Sequence, residues 1–128
     1  MKVIMLTGAP DTGKTTVLKE LYKTLKADGA KDIIPPVTCP RFGQDNEYCI
    51  EYKGKKIGIV TIGDFATEII WYLGVFFGRG ADILVIANSD KNLQKSVLNH
   101  HNKELQYDNV PKTSIYETGI VGQIMAKL

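Results

Sequence analysis

The sequence predicts an α/β protein: a mostly parallel sheet of about five strands, with helices on both faces making three layers. Three observations carry this. Short apolar runs alternate along the chain with segments of helical period. Most of the expected strands are chiefly apolar, as strands buried on both faces are. Two neighbouring strand-like runs are separated only by Lys53, Gly54 and Lys55, a hairpin signal, so one strand joins the sheet antiparallel.

Lys2–Leu6 is an apolar run with β-branched members and reads as a buried strand. Thr7–Gly13 is loop. From Lys14 the period turns helical: Val17, Leu21 and Leu25 recur every four residues, and Leu18 and Tyr22 widen the stripe. Gly29 follows as a left-handed helix stop. The 30–46 stretch, with Pro35, Pro36, Pro40 and Gly43, reads as a turn-rich loop long enough to be a functional flap. Glu47–Tyr52 and Lys56–Ile62 are the hairpin strands, and Asp64 follows the second. Ala66–Phe77 is a helix apolar on nearly all sides, and Ala81–Ala87 is another buried strand. Asp90 caps a helix running to about Gln106, with Leu93, Val97, His101 and Leu105 on one face. Thr113–Tyr116 is a short fifth strand, and Thr118 caps a last helix, Ile120–Leu128. The spacing leaves open whether Lys56–Ile62 lies beside Lys2–Leu6 or one strand away. With no repeats or linkers, residues 1–128 read as a single domain.

Composition narrows the function classes. The 128 residues are 44% hydrophobic and 23% charged, an ordinary globular balance. A net charge of +2, from 16 Lys+Arg against 14 Asp+Glu, argues against nucleic acid as the main partner. Cys39 and Cys49 are too few for a disulfide scaffold and lack metal-site spacing, which fits free thiols in a reducing cytoplasm. The N-terminal apolar run is too short for a signal peptide. The Ile69–Gly78 stretch is far short of the ~20 residues a membrane span needs. A cytoplasmic protein without membrane partners is expected.

The segment Gly8-Ala9-Pro10-Asp11-Thr12-Gly13-Lys14-Thr15 matches G-x-x-x-x-G-K-[ST] at every fixed position, between an expected strand and an expected helix. Glycines let the backbone curl so that successive N–H groups point inward at an anion. The helix beginning at Lys14 adds its positive dipole end. Asp11 is repulsive to a polyphosphate unless it points away or meets a metal; a backbone hydrogen bond within the loop is its simpler role.

LTGAPDTGKTTVLKELY resembles the opening of P-loop NTPases, most closely small nucleotide kinases and small nucleoside-triphosphatases. The specific match covers about the first quarter of the chain; the rest agrees in topology. The resemblance implies ATP, or a related nucleoside triphosphate, with Mg²⁺ as cofactors in a P-loop fold. It implies phosphate binding by the backbone of residues 8–15, with Thr16 alongside, Lys14 on the β- and γ-phosphates and Thr15 on Mg²⁺. Such proteins place a carboxylate after a neighbouring apolar strand to support the metal. Asp64 is the candidate, although an N-cap role for the following helix fits it too. Glu68, one turn on, is a candidate general base if the helix begins at Asp64.

Phosphoryl transfer needs a cation on the transferred group, and the only arginines are Arg41 and Arg79. Arg41, in the 30–46 stretch, is the catalytic candidate; Arg79, flanked by Gly78 and Gly80, reads as a helix C-terminal charge. Asn88-Ser89-Asp90-Lys91 only partly matches a guanine-reading Asn-Lys-x-Asp, which disfavours GTP. The loop Tyr116–Gly119 lies where such folds flank the purine. His100 and Glu104 are too few to make a metal site, and His101 reads as a core-edge residue. The apolar 66–77 helix is a candidate homodimer face. Three functions stay open: ATP hydrolysis, a small-molecule or nucleotide kinase using the 30–46 loop with Cys39–Asp45 for its acceptor, and a non-enzymatic ATP sensor.

Overall fold

The computed structural model describes residues 1–9, 12–39, 44–62, 66–88, 105–114 and 117–128. Its elements are β1 (Lys2–Thr7), α1 (Lys14–Ala27), β2 (Lys31–Cys39), β3 (Gln44–Tyr52), β4 (Lys55–Val60), α2 (Ala66–Gly78), β5 (Ile83–Asn88), β6 (Gln106–Pro111) and α3 (Ile120–Met125). The strands form one six-stranded sheet in the order β2-β3-β4-β5-β1-β6. β4, β5, β1 and β6 run parallel, and β3 and β2 are added antiparallel at one side. The sheet is thus mixed, with one more strand than the sequence predicts. β5 separates β4 from β1, which settles the strand order that the spacing leaves open.

Strand alternation sends successive side chains to opposite faces. Ile4 and Leu6 face the side where α1 places Val17, Leu18, Leu21 and Leu25, joined by Ile120 and Ile124 of α3. Val3 and Met5 face the other side, where α2 places Ile69, Tyr72, Leu73 and Phe76. Helices therefore cover both faces in three layers. Phe76 is fully buried and lies against β4 where that strand carries Gly58; a β-carbon at Gly58 would run into the Phe76 ring. The outer face of α2 keeps Trp71 and Phe77 exposed. No helix among the described residues is long and apolar enough to cross a membrane.

The expected hairpin forms, but with a turn of two residues, Lys53 and Gly54, both with positive φ; Lys55 pairs with Tyr52 and belongs to β4, which ends at Val60, short of the expected Ile62. Other expectations need correction. Most of 30–46 is not loop, because residues 31–39 form β2 and β3 begins at Gln44. Pro35 and Pro36 sit in an edge strand, where a missing N–H spoils no inner ladder, and the pairing with β3 shifts register around them, while Pro40 lies outside the described residues. The α1 end anchors this ribbon: Tyr22 stacks on Tyr48 at 4.0 Å and Lys26 pairs with Asp32 at 3.0 Å.

The fifth strand expected at Thr113–Tyr116 lies instead at Gln106–Pro111, where β6 pairs along the whole of β1. Its polar residues suit a sheet edge, so the apolar signal used to find strands is weak there. Leu105 and Gln106 are accordingly not the end of a helix, and the rest of the helix expected from Asp90 lies outside the described residues. The last helix starts with Gly119, not Thr118, at its N-cap, makes no side-chain cap bond, and ends at Met125.

Two substitutions on one side of the sheet should have opposite signs. Gly58→Ala should cost ~1–3 kcal/mol through overpacking against Phe76. Gly74→Ala, where an added β-carbon meets nothing within 4 Å, should gain ~0.5–1 kcal/mol from helix propensity. Urea midpoints of the two variants against the parent check both signs.

Candidate functional site

The candidate site lies at the C-terminal rim of the parallel strands, where β1 gives way to α1. Gly13 is the helix N-cap at φ 83°, a left-handed conformation that suits glycine and turns the chain into the helix. The first helical bond runs from the Val17 N–H to the Gly13 carbonyl at 3.1 Å. Helix geometry directs the amides of the turn before it, Thr15 and Thr16 included, out of the helix end.

Lys14 is only 7% exposed. Its Nζ donates to the carbonyls of Gly8 at 2.9 Å and Ala9 at 2.7 Å, and stands 3.5 Å from Thr12 Oγ1. The Thr12 hydroxyl donates in turn to the Ala9 carbonyl at 2.8 Å. Gly8, Ala9 and Thr12 thus bring oxygens to the Lys14 ammonium at the start of α1, where the helix dipole is positive. Such a cradle is chemically suited to an anion with several oxygens.

Gly8 is wedged between two neighbouring strand ends. Its N–H donates to the carbonyl of the fully buried Asn88 at 3.1 Å, where β5 ends. On the β6 side the Lys112 N–H donates to the Thr7 carbonyl at 2.7 Å, and the Lys112 carbonyl oxygen occupies the space a β-carbon on Gly8 would need. The Thr7 hydroxyl donates to Asn109 Oδ1. Close approach of backbone to backbone, not a positive φ, makes Gly8 a glycine.

Thr15 points toward the next strand but one. Its hydroxyl lies 3.4 Å from the Thr61 carbonyl, just beyond the end of β4. Gly8, Ala9, Thr12, Gly13, Lys14 and Thr15 are thus brought together, with Thr16 exposed beside them on the same helical turn. Pro10, Asp11, Arg41 and Asp64 lie outside the described residues, as do Asp90, His100, His101, Glu104 and Tyr116. Glu68 stands in the first turn of α2, partly buried. Among the described residues no group of three His, Cys, Asp or Glu side chains is placed to hold a metal ion.

Arg79 is committed elsewhere. Its guanidinium pairs with Glu47 at 2.7 Å, the carboxylate side chain being 8% exposed, and lies 4.8 Å over the Phe76 ring. The reading of Arg79 as a simple helix C-terminal charge misses this cross-sheet partner, because Glu47 is remote in sequence.

The turn after β6 is the part of the rim that sequence reasoning placed but did not resolve. Glu117 Oε2 accepts from the Thr113 N–H at 2.7 Å and from the Thr113 hydroxyl at 3.0 Å. Those two bonds, the backbone one first, hold its carboxyl below the ordinary glutamate range. The signal in the sequence was the Thr113-to-Glu117 spacing, legible only once the loop is known to close on itself. Comparison with family models, with curated proteins and with solved structures gives no match.

Two outcomes follow from this geometry. Because the folded Glu117 pKa is depressed, its contribution is present above the unfolded value and is lost as pH falls through the folded one. A carboxyl-resolved NMR titration should therefore find its midpoint below that of a free glutamate, and a normal midpoint would contradict the Thr113 bonds. Arg79→Ala should destabilise by ~3 kcal/mol, since it strands the nearly buried Glu47 carboxylate. A urea melt within 0.5 kcal/mol of the parent, a figure typical of neutral surface changes, would show the pair to be weak.

Proposed function

We propose that this chain is a Mg²⁺-dependent nucleoside-triphosphate-binding protein of the P-loop NTPase kind, hydrolysing ATP. The observation that carries the reading is the ammonium of Lys14 at the centre of the 8–15 loop, with the α1 amides opening onto the same place. A triphosphate there would take its charge from Lys14, from the helix dipole and from the amides of residues 12–16. Thr15 would hold Mg²⁺ through its hydroxyl. Asp64 follows Thr61 by three residues, within ~10 Å of contour, so the β4 end facing Thr15 supports it as the second metal-side group.

Water attack on the γ-phosphorus would release phosphate, with Arg41 as the cation stabilising the transferred group. The kinase alternative loses part of its basis, because β2 and β3 take up most of the stretch assigned to an acceptor. The sensor reading gains from one observation. With Arg79 bound to Glu47, a single arginine remains for transition-state charge, which favours slow intrinsic turnover. Self-association through α2, where Trp71 and Phe77 are exposed, belongs to the same proposal, as does a cytoplasmic location.

Calorimetric titration with ATP and GTP, with and without Mg²⁺, followed by phosphate release on the same samples, tests the reading. Mg²⁺-dependent ATP binding with release is the expected result. Lys14→Ala should weaken ATP binding at least ~100-fold, about 3 kcal/mol. Binding without release moves the protein to the sensor class. No binding of either nucleotide would overturn the proposal.

A further inference from the structure

The Lys112 carbonyl and the Thr113 N–H belong to one peptide group, and this peptide touches both the phosphate loop and Glu117. Its oxygen fills the space beside Gly8, and its N–H donates to Glu117 Oε2 at 2.7 Å. A peptide group is planar, so holding the N–H in one direction fixes the opposite direction of the oxygen. The residues before it are held as well. Lys112, 3% exposed, donates its N–H to Thr7 and its Nζ to the Ser114 carbonyl. The Glu117 N–H reaches the Ser114 carbonyl at 3.3 Å, closing the turn.

We infer that Glu117 is a positioning residue for nucleotide binding: its carboxylate aims the Lys112–Thr113 peptide so that the carbonyl stops against Gly8 and fixes the start of the phosphate loop. The inference rests on the nucleotide-binding reading above and extends it to a residue outside the 8–15 motif. Without the carboxylate acceptor the peptide is free to rotate about its flanking bonds. Gly8 then loses its stop on the β6 side, and the carbonyl that Lys14 uses as an acceptor moves with it. A residue that only closed its own surface turn would affect thermal stability slightly and the phosphate loop not at all.

The test compares the parent, Glu117→Ala, Glu117→Gln and Lys14→Ala by calorimetric titration with Mg²⁺-ATP, with melting temperatures on the same samples. Glu117→Ala should weaken ATP about tenfold, as loss of a charge-assisted bond does, while melting within a few degrees of the parent. Glu117→Gln keeps one acceptor oxygen and should recover most of the affinity, to within about threefold. If Glu117→Ala does not fold, Glu117→Met, which keeps the bulk and removes the acceptor, carries the test through its Gly8 amide resonance, which should move away from the parent position while Glu117→Gln leaves it near that position. Parent-like affinity in Glu117→Ala, or a parent-like Gly8 resonance in Glu117→Met, would overturn the inference while Lys14→Ala still shows the nucleotide site to be real. A parent that binds no nucleotide would overturn both.

Discussion

The C-terminal rim of the sheet depends on how a buried ammonium is satisfied. Lys14 is nearly inaccessible, and a buried charge is tolerated only when polar groups close around it. The carbonyls of Gly8 and Ala9 contribute to that closure. Their placement goes with Gly13 in a left-handed conformation at the helix start and Gly8 without a side chain beside Lys112. Loop, cation and helix start are one arrangement, and changing any member disturbs the others.

Around that arrangement the sheet acts as a frame. β1 lies between β5 and β6, so the loop leaving it is flanked on both sides by strand ends, through Asn88 and through Lys112. α1 is held against the sheet by its buried stripe, which sets the direction of the amides at its N-terminus. On the opposite face the Phe76–Gly58 contact and the Arg79–Glu47 pair fix α2 over β4 and β3. The backbone groups of the candidate site sit at the strand ends, where open α/β sheets place ligands.

Much of this was legible in the sequence, for identifiable reasons. β1, α2 and β5 are marked by apolar runs, α1 by its helical period and the β3–β4 hairpin by its turn residues, and these signals match the observed elements. The 8–15 segment could be placed between strand and helix from its spacing alone. β2 was not legible because Pro35 and Pro36 speak against a strand until one knows it is at an edge. β6 was not legible because Gln106, Asp108 and Asn109 carry little strand propensity, and its pairing with β1 is a tertiary effect. At the site, Lys14 and Gly8 were readable as motif positions. The contacts of Gly8 with Lys112, and of Glu117 with Thr113, join segments whose relation exists only in three dimensions.

The central claim is that the 8–15 loop and the first turn of α1 hold the phosphates of a nucleoside triphosphate. Amide-resolved NMR during titration with Mg²⁺-ATP tests it most directly, because it reads each backbone N–H separately. Saturable shifts are expected at Gly8, Gly13, Lys14, Thr15 and Thr16, largest at Gly13 to Thr15, with small changes on the outer face of α2. Saturable shifts centred elsewhere, or none at millimolar nucleotide, a concentration at which ~1 mM affinity would be visible, would contradict it.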